Sequence, residues 1–264
     1  MGSLLGPVAT PRDTEPQRDG RQRAFTLIEL LVVVAVVGIL ASLIFPALAQ
    51  AKQRAQTIQC INHLRQLGLA TRMYWDDHND TAFKYLTGST NGGALYWFGW
   101  LANGSEGERA FDAAPGALYP YLRGLGVELC PSLNYSLGRF KLKATGAAYG
   151  YGYNLHVSTN EAGGPRNLQN LRDPSATALF ADAAQVNDFQ APASADHPML
   201  EEWYYLDVGE GTFSYPNAHF RHQAQANVVF LDGHVGRERP APGTLDDRMP
   251  SEKIARLRRA VLLP

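Results

Sequence analysis

Apolar and polar positions are distributed unevenly along this chain. From Leu30 to Ala49 twenty consecutive residues carry no charge, and no polar residue recurs at every third or fourth position. Twenty helical residues rise about 30 Å, the thickness of a bilayer's hydrocarbon layer. A helix that is apolar all round reads as a membrane span, because the helix of a soluble core keeps a polar face. Past Gln50 the pattern changes. Ala51, Ala55, Ile58, Ile61, Leu64, Leu67, Thr71 and Tyr74 recur at three- or four-residue steps, with Lys52, Arg54, Arg65 and Arg72 between them. This predicts an amphipathic extension over 50–80. Asp76-Asp77-His78-Asn79-Asp80, a run of poor helix formers, marks its end. One helix from Phe25 to about Trp75 is predicted, about 75 Å long. Pro46, without an N–H, should kink it.

Beyond residue 80 the apolar runs shorten. Tyr149-Gly-Tyr-Gly-Tyr153 alternates aromatic residues with glycine, and Ala176–Ala181 is an apolar run between Pro174 and Asp182. Ala226–Val235 reads as a strand, an Asp-Gly turn at Asp232-Gly233 and a return strand. Most of the 25 glycines and 16 prolines lie in this half, which predicts long loops. After Pro240-Ala-Pro-Gly243, Ser251 is placed to cap a short helix carrying Ile254, Leu257 and Val261. Arg256, Arg258 and Arg259 on it form a solvated face or a contact for anionic lipid. The expected class is α+β, a long N-terminal helix on a small antiparallel β-sheet. The expected divisions are a leader (1–24), a transmembrane helix (25–49), the amphipathic extension (50–80), a β-rich head (81–240) and a tail (241–264). About 185 residues outside the leader and long helix suffice for one core.

Charge adds orientation. Arg12, Arg18, Arg21 and Arg23 precede the span, which favours a cytoplasmic leader and an extracytoplasmic head on a single-pass protein. The formal net charge is −1; with no basic patch, nucleic acid is not an expected partner. Three fates of the span are open: an uncleaved anchor, secretion with cleavage at Ala47-Leu48-Ala49, and cleavage between Ala24 and Phe25 that keeps the helix. Glu29 bears on the choice. A carboxylate at the start of an apolar span is expensive unless paired, and cutting after Ala24 creates an amine on Phe25 near the same depth. In a stack of identical helices, Phe25 of one subunit can meet Glu29 of the next. Small residues at Ala35, Gly38, Ala41 and Ser42 let helices approach closely in lipid, or belong to a lipid-facing helix of mixed size.

The segment Ala24-Phe25-Thr26-Leu27-Ile28-Glu29-Leu30-Leu31-Val32-Val33 closely resembles the processing site of type IV prepilins and type II secretion pseudopilins. The resemblance implies a pilin-like fold, cutting after Ala24 by the prepilin peptidase, N-methylation of Phe25, and assembly through Phe25 and Glu29. Gly38 and Pro46 match places where such helices carry a helix-breaking Gly and Pro. The family usually has Gly where this chain has Ala24. The partners implied are the peptidase, other pilin or pseudopilin subunits, an assembly-platform membrane protein and the lipid bilayer. The implied location is the inner membrane, then a filament. The alternative is an anchored or secreted extracytoplasmic domain that binds a glycan or peptide.

His222, nine residues and then Asp232-Gly233 form a signature that looks like the C-terminal domain of one branch of prepilin-like proteins. Cys60-Ile-Asn-His-Leu-Arg-Gln-Leu-Gly-Leu-Ala70, Cys130-Pro131, Tyr149–Asn154 and Asp173-Pro-Ser-Ala-Thr177 resemble the same layout. A bond from His222 to Asp232 or nearby backbone would explain the spacing. Cys60 and Cys130 are the only cysteines. Outside the cytoplasm they can form a disulfide closing a loop of about 70 residues, worth about 2–4 kcal/mol; the alternative is two buried thiols. Two separated cysteines without a matching nearby histidine are too few for a metal site, and neither metal nor cofactor is assigned. Tyr96-Trp-Phe-Gly-Trp100 and Trp203-Tyr-Tyr205 suit core packing or a glycan surface. No G-x-S-x-G, H-E-x-x-H or P-loop pattern is present, so no catalytic residue is assigned and the chain is not read as an enzyme.

Overall fold

The computed structural model describes residues 25–124, 126–146, 149–159, 163–209 and 215–264. The leader, with Ala24, lies outside the described residues. The chain divides into two compact units, Met1–Ala49 and Gln50–Pro264.

Helix α1 runs over Leu27–Asp77. It is the one helix among the described residues that is long and apolar enough to cross a membrane. In the first unit its large apolar side chains, from Leu27 and Ile28 to Phe45 and Leu48, are exposed. It continues through Gly38 and Pro46 without interruption. The expected break is therefore absent as a break in the helix; a proline deletes one ladder bond, and the surrounding turns remain hydrogen-bonded.

In the second unit the helix buries a stripe at Cys60, Leu64, Leu67, Gly68, Thr71 and Trp75. The stripe starts later than the periodicity predicted, since Ala51, Ala55 and Ile58 are exposed. Helix α1 ends where expected. Asn79 and Asp80 both adopt left-handed backbone (φ 53°), and the Asp80 N–H returns to the Trp75 carbonyl at 2.9 Å.

Among the described residues fourteen short strands follow: β1 (Leu86–Thr90), β2 (Gly93–Tyr96), β3 (Gly99–Ala102), β4 (Phe111–Asp112), β5 (Phe140–Lys141), β6 (Tyr151–Asn154), β7 (Ala178–Asp182), β8 (Gln185–Asn187), β9 (Met199–Glu201), β10 (Tyr205–Leu206), β11 (Ala218–His219), β12 (Ala226–Phe230), β13 (Val235–Glu238) and β14 (Ile254–Ala255). The largest sheet has the order β10-β6-β7-β12-β13. It is mixed, because β10 pairs parallel with β6 while the other pairs are antiparallel. The hairpin read from the sequence is present: Val229 faces Val235 across β12 and β13, and Gly233 takes the positive φ (90°) that the turn requires. The tail differs from its expectation. Ile254 lies on β14, paired with β11, and Leu257 and Val261 are buried. A single helical turn is left at Arg259–Leu262; three apolar residues that fit a helix stripe instead cover the sheet.

Alternation on β6 has a steric cause. Tyr151 and Tyr153 are buried in the core cluster that contains Leu64 and Leu67 of α1. A Cβ on Gly152 would stand 2.9 Å from the Tyr205 backbone of the parallel neighbour. Helix α1 also approaches β12 closely: a Cβ on Gly68 would lie 2.9 Å from Cγ2 of Val229, a side chain stiff at χ1. Gly68→Ala gains about 1 kcal/mol of helix propensity but overpacks the contact by about 1–3 kcal/mol. A net loss of stability is expected in thermal melts; a raised melting temperature would show that the sheet yields at no cost.

Candidate functional site

The first site is the start of α1. Thr26 precedes the helix, and Glu29 is the acid of its first turn. The Glu29 N–H donates to Thr26 Oγ1 at 3.2 Å, while Glu29 Oε2 accepts from the Thr26 N–H at 2.9 Å and from its hydroxyl at 2.8 Å. This is a capping box, in which Thr and Glu three residues apart each satisfy a helix-end donor. The Thr-x-x-Glu spacing is visible in the sequence, and the box gives Glu29 a second role beside pairing with a new amine. Phe25 is exposed immediately before the cap. A chain beginning at Phe25 still contains both residues of the box.

The second site is a polar cluster inside the head. Asp182, at the end of β7, is fully buried. Its Oδ1 accepts from Arg221 Nη2 at 2.8 Å, and its Oδ2 accepts from the Asn227 N–H at 2.7 Å and lies 3.3 Å from His222 Nε2. Arg221 also donates to the Gly150 carbonyl (2.6 Å) and, through Nε, to Cys130 Sγ (3.3 Å). A tight turn positions His222. Gln223 and Ala224 both have positive φ (56° and 60°), and residues 222 and 225 exchange backbone hydrogen bonds of 3.0 and 3.1 Å. This is the geometry of a two-residue primed turn.

Burial opposes the charge on Asp182, but Arg221 and His222 outweigh it and hold its carboxyl below the usual range. Burial likewise opposes the His222 imidazolium, and Asp182 and Cys130 lift it to about 9. The Cys130 thiol beside Cys60 draws Cys60 down to about 7, against burial, while burial pushes Cys130 up. His219 is driven well down by burial and by Arg221.

Cys60 and Cys130 are both buried and both free thiols. Their sulfur atoms and a ring nitrogen of His222 all lie within 4.8 Å of one another. The two cysteines expected to meet are thus together, and an unanticipated histidine joins them. The expected His222–Asp232 contact is not formed. Asp232 accepts from the backbone of exposed His234 at 3.0 Å and meets its ring at 2.6 Å. Separations of 40 to 162 residues kept Cys60, Cys130, Asp182 and His222 apart in any local reading of the sequence.

A third group is a buried ion network. Glu106 contacts Lys141, Lys143 (3.2 Å) and Arg109 (3.2 Å), and Glu201 contacts Lys143 and Lys141 (3.5 Å). Burial opposes the charge on Glu106, but Lys143 and Lys141 outweigh it and lower its pKa; burial lowers Lys143 to about 8. A depressed carboxylate stabilises the fold above its unfolded value of 4.5 and loses that contribution as the pH falls through the folded value. Glu106→Gln is expected to flatten the acid limb of melting temperature against pH. At neutral pH it should cost about 1.5–3 kcal/mol, limited because Glu201 still pairs the lysines. An unchanged acid limb would remove Glu106 from the account.

The aromatic runs serve mainly as packing. Trp97 and Phe98 are buried, Phe98 lies 4.0 Å from the Tyr149 ring, and the Trp97 indole donates to the Tyr204 carbonyl at 2.9 Å. Trp203 and Tyr205, with Gln185, Phe189 and Tyr215, line a cavity of about 330 Å³.

Residues 19–45 match the Prokaryotic N-terminal methylation motif family. The N-terminal segment is therefore similar to that of prepilin-like proteins, and the capped helix begins inside the match. The relatives point the same way. The chain is 41% identical over 59 residues to the type II secretion system core protein G of Pectobacterium carotovorum subsp. carotovorum, covering 22% of this chain and 38% of that protein. It is 38% identical over 60 residues to the protein of that name from Escherichia coli (strain K12), covering 22% and 41%. For the Dickeya chrysanthemi protein of that name it is 36% over 75 residues, covering 28% and 46%. The chain thus spans less than half the length of these curated relatives. No solved structure matches it. The family match does not reach the His-x9-Asp-Gly signature.

Proposed function

We propose that this chain is a structural subunit of a type IV pilus-like or type II secretion pseudopilus filament. It inserts as a single-pass inner-membrane protein with its arginine-bearing leader in the cytoplasm and its head outside. Prepilin peptidase cuts between Ala24 and Phe25, Phe25 is N-methylated, and Phe25 and Glu29 of neighbouring subunits pair during assembly. Other pilin-like subunits and an assembly-platform membrane protein are its partners. The chain performs no catalysis of its own.

The observation that carries this reading is the capped start of α1. A carboxylate sits in the first turn of an exposed apolar helix, within the matched motif, four residues after the residue that becomes the new terminus. The test is shearing or gentle lysis of the native cells, followed by electron microscopy with antibody against residues 81–240. Decorated filaments or pseudopili that vanish when the prepilin peptidase gene is deleted are expected. Head protein released as a soluble, unassembled domain, unchanged by that deletion, would overturn the proposal and favour a secreted binding domain.

A further inference from the structure

The buried thiols offer more than a covalent staple. Cys60 Sγ, Cys130 Sγ and a ring nitrogen of His222 converge within 4.8 Å, and His222 Nε2 stands 4.0 Å from Cys130 Sγ and 3.3 Å from Asp182 Oδ2. A tetrahedral ion with metal–sulfur bonds of about 2.3 Å and metal–nitrogen bonds of about 2.0 Å needs ligand atoms about 3.5–3.8 Å apart. The three atoms must close to that spacing for a tetrahedral ion to bind.

The other ring nitrogen is already committed. The Thr57 hydroxyl donates its one proton to the Gln53 carbonyl at 2.9 Å, which leaves its lone pairs to accept from His222 Nδ1–H at 3.1 Å. This fixes the tautomer, as outer-shell partners of metal-bound histidines do. Nε2 faces a carboxylate oxygen and a sulfur, where the imidazolium holds a proton that a metal ion would replace.

The surroundings suit thiolate ligands. Arg221 Nε is 3.3 Å from Cys130 Sγ, in place to stabilise sulfur in its ionised form. Asp182 and Arg221 already neutralise each other, so a divalent ion with two thiolates adds no net charge to the interior, the condition under which buried ions are tolerable. Two sulfurs and an imidazole select a borderline to soft ion of the zinc class over calcium or magnesium.

We propose that Cys60, Cys130 and His222 form a site for a zinc-class divalent ion, ligated through both thiolates and Nε2, with Asp182 Oδ2 the nearest oxygen for the fourth position. Binding releases three protons to solvent, one from each thiol and one from the His222 imidazolium. The ion would join α1 at Cys60 to the loop at Cys130 and the turn at His222, fastening the second half of the helix to the head. His222 lines a surface cleft of about 310 Å³, which gives the site access. This inference does not depend on filament assembly.

The test uses the full chain, purified in detergent without oxidants and reduced, then titrated with Co²⁺. One Co²⁺ per chain is expected, with a sulfur-to-cobalt charge-transfer band and the visible bands of tetrahedral cobalt, all displaced by an equivalent of Zn²⁺. Cys130→Ser and His222→Ala should abolish the charge-transfer signal or its tetrahedral form. Thr57→Val, a partly exposed site that disturbs folding least, should weaken binding about 10–100-fold. A reduced wild-type chain that takes up no Co²⁺ would overturn the proposal. So would a Cys60–Cys130 disulfide in the chain isolated from its native membrane, detected as a linked peptide without reduction.

Discussion

Glu29→Val is expected to leave membrane insertion intact and to remove the chain from filaments. The apolar run from Leu30 to Ala49 is untouched, so the amount of processed protein in the membrane should match wild type. Losing one partner of a charge pair at low dielectric costs about 3–5 kcal/mol, which lowers incorporation by a factor of about 100 or more. The capping box supplies a second possible reason for a defect, because Glu29 also holds Thr26. Glu29→Gln separates the two. Glutamine can serve at the same position of a capping box, yet it cannot neutralise an amine. If Glu29→Gln fails to assemble as Glu29→Val does, the charge is what assembly needs. Normal filaments from Glu29→Gln would contradict the pairing and leave Glu29 as a helix cap.

The largest loss of stability is expected from Asp182→Asn. The substitution keeps the volume but leaves the buried Arg221 guanidinium without its anion. Removing one partner of a buried ion pair costs about 3–5 kcal/mol. For a domain of this size that lowers the melting temperature by about 6–20 °C. The full chain in detergent, melted by near-ultraviolet circular dichroism, gives the measurement. Arg221→Met should also destabilise, and the double variant should cost less than the sum of the two, because neither charge is then left alone. A melting temperature within about 2 °C of wild type for Asp182→Asn would mean that Arg221 is satisfied by the Gly150 and Ala183 carbonyls alone.

Much of the helix and one hairpin were legible in the sequence because their signals are local. Period, charge spacing and the run of poor helix formers after Trp75 located α1, and Asp232-Gly233 located the turn between β12 and β13. The Thr26-x-x-Glu29 cap was equally local and could have been found by the same reading. The tail misled because Ile254, Leu257 and Val261 fit a helical stripe, while pairing of β14 with β11 depends on residues some 35 positions away. The ion network was illegible for a related reason. Glu106, Lys141, Lys143 and Glu201 look like ordinary surface charges until the fold buries them against one another. Of the two contacts expected to explain the His222–Asp232 spacing, the bond to Asp232 is not formed while His222 bonds the nearby Gln225 backbone. Thr57, Cys130 and Asp182 reach its ring from three distant segments that no local spacing could reveal.

The central claim is that the chain is processed before its helix and keeps that helix. Intact mass and N-terminal sequence of the protein purified from its native membrane test it most directly. A chain that begins at Phe25 and carries one methyl group on its amine is the expected result. A chain that begins at Gln50 would show ordinary secretion with loss of the helix and of Glu29, and would contradict the account.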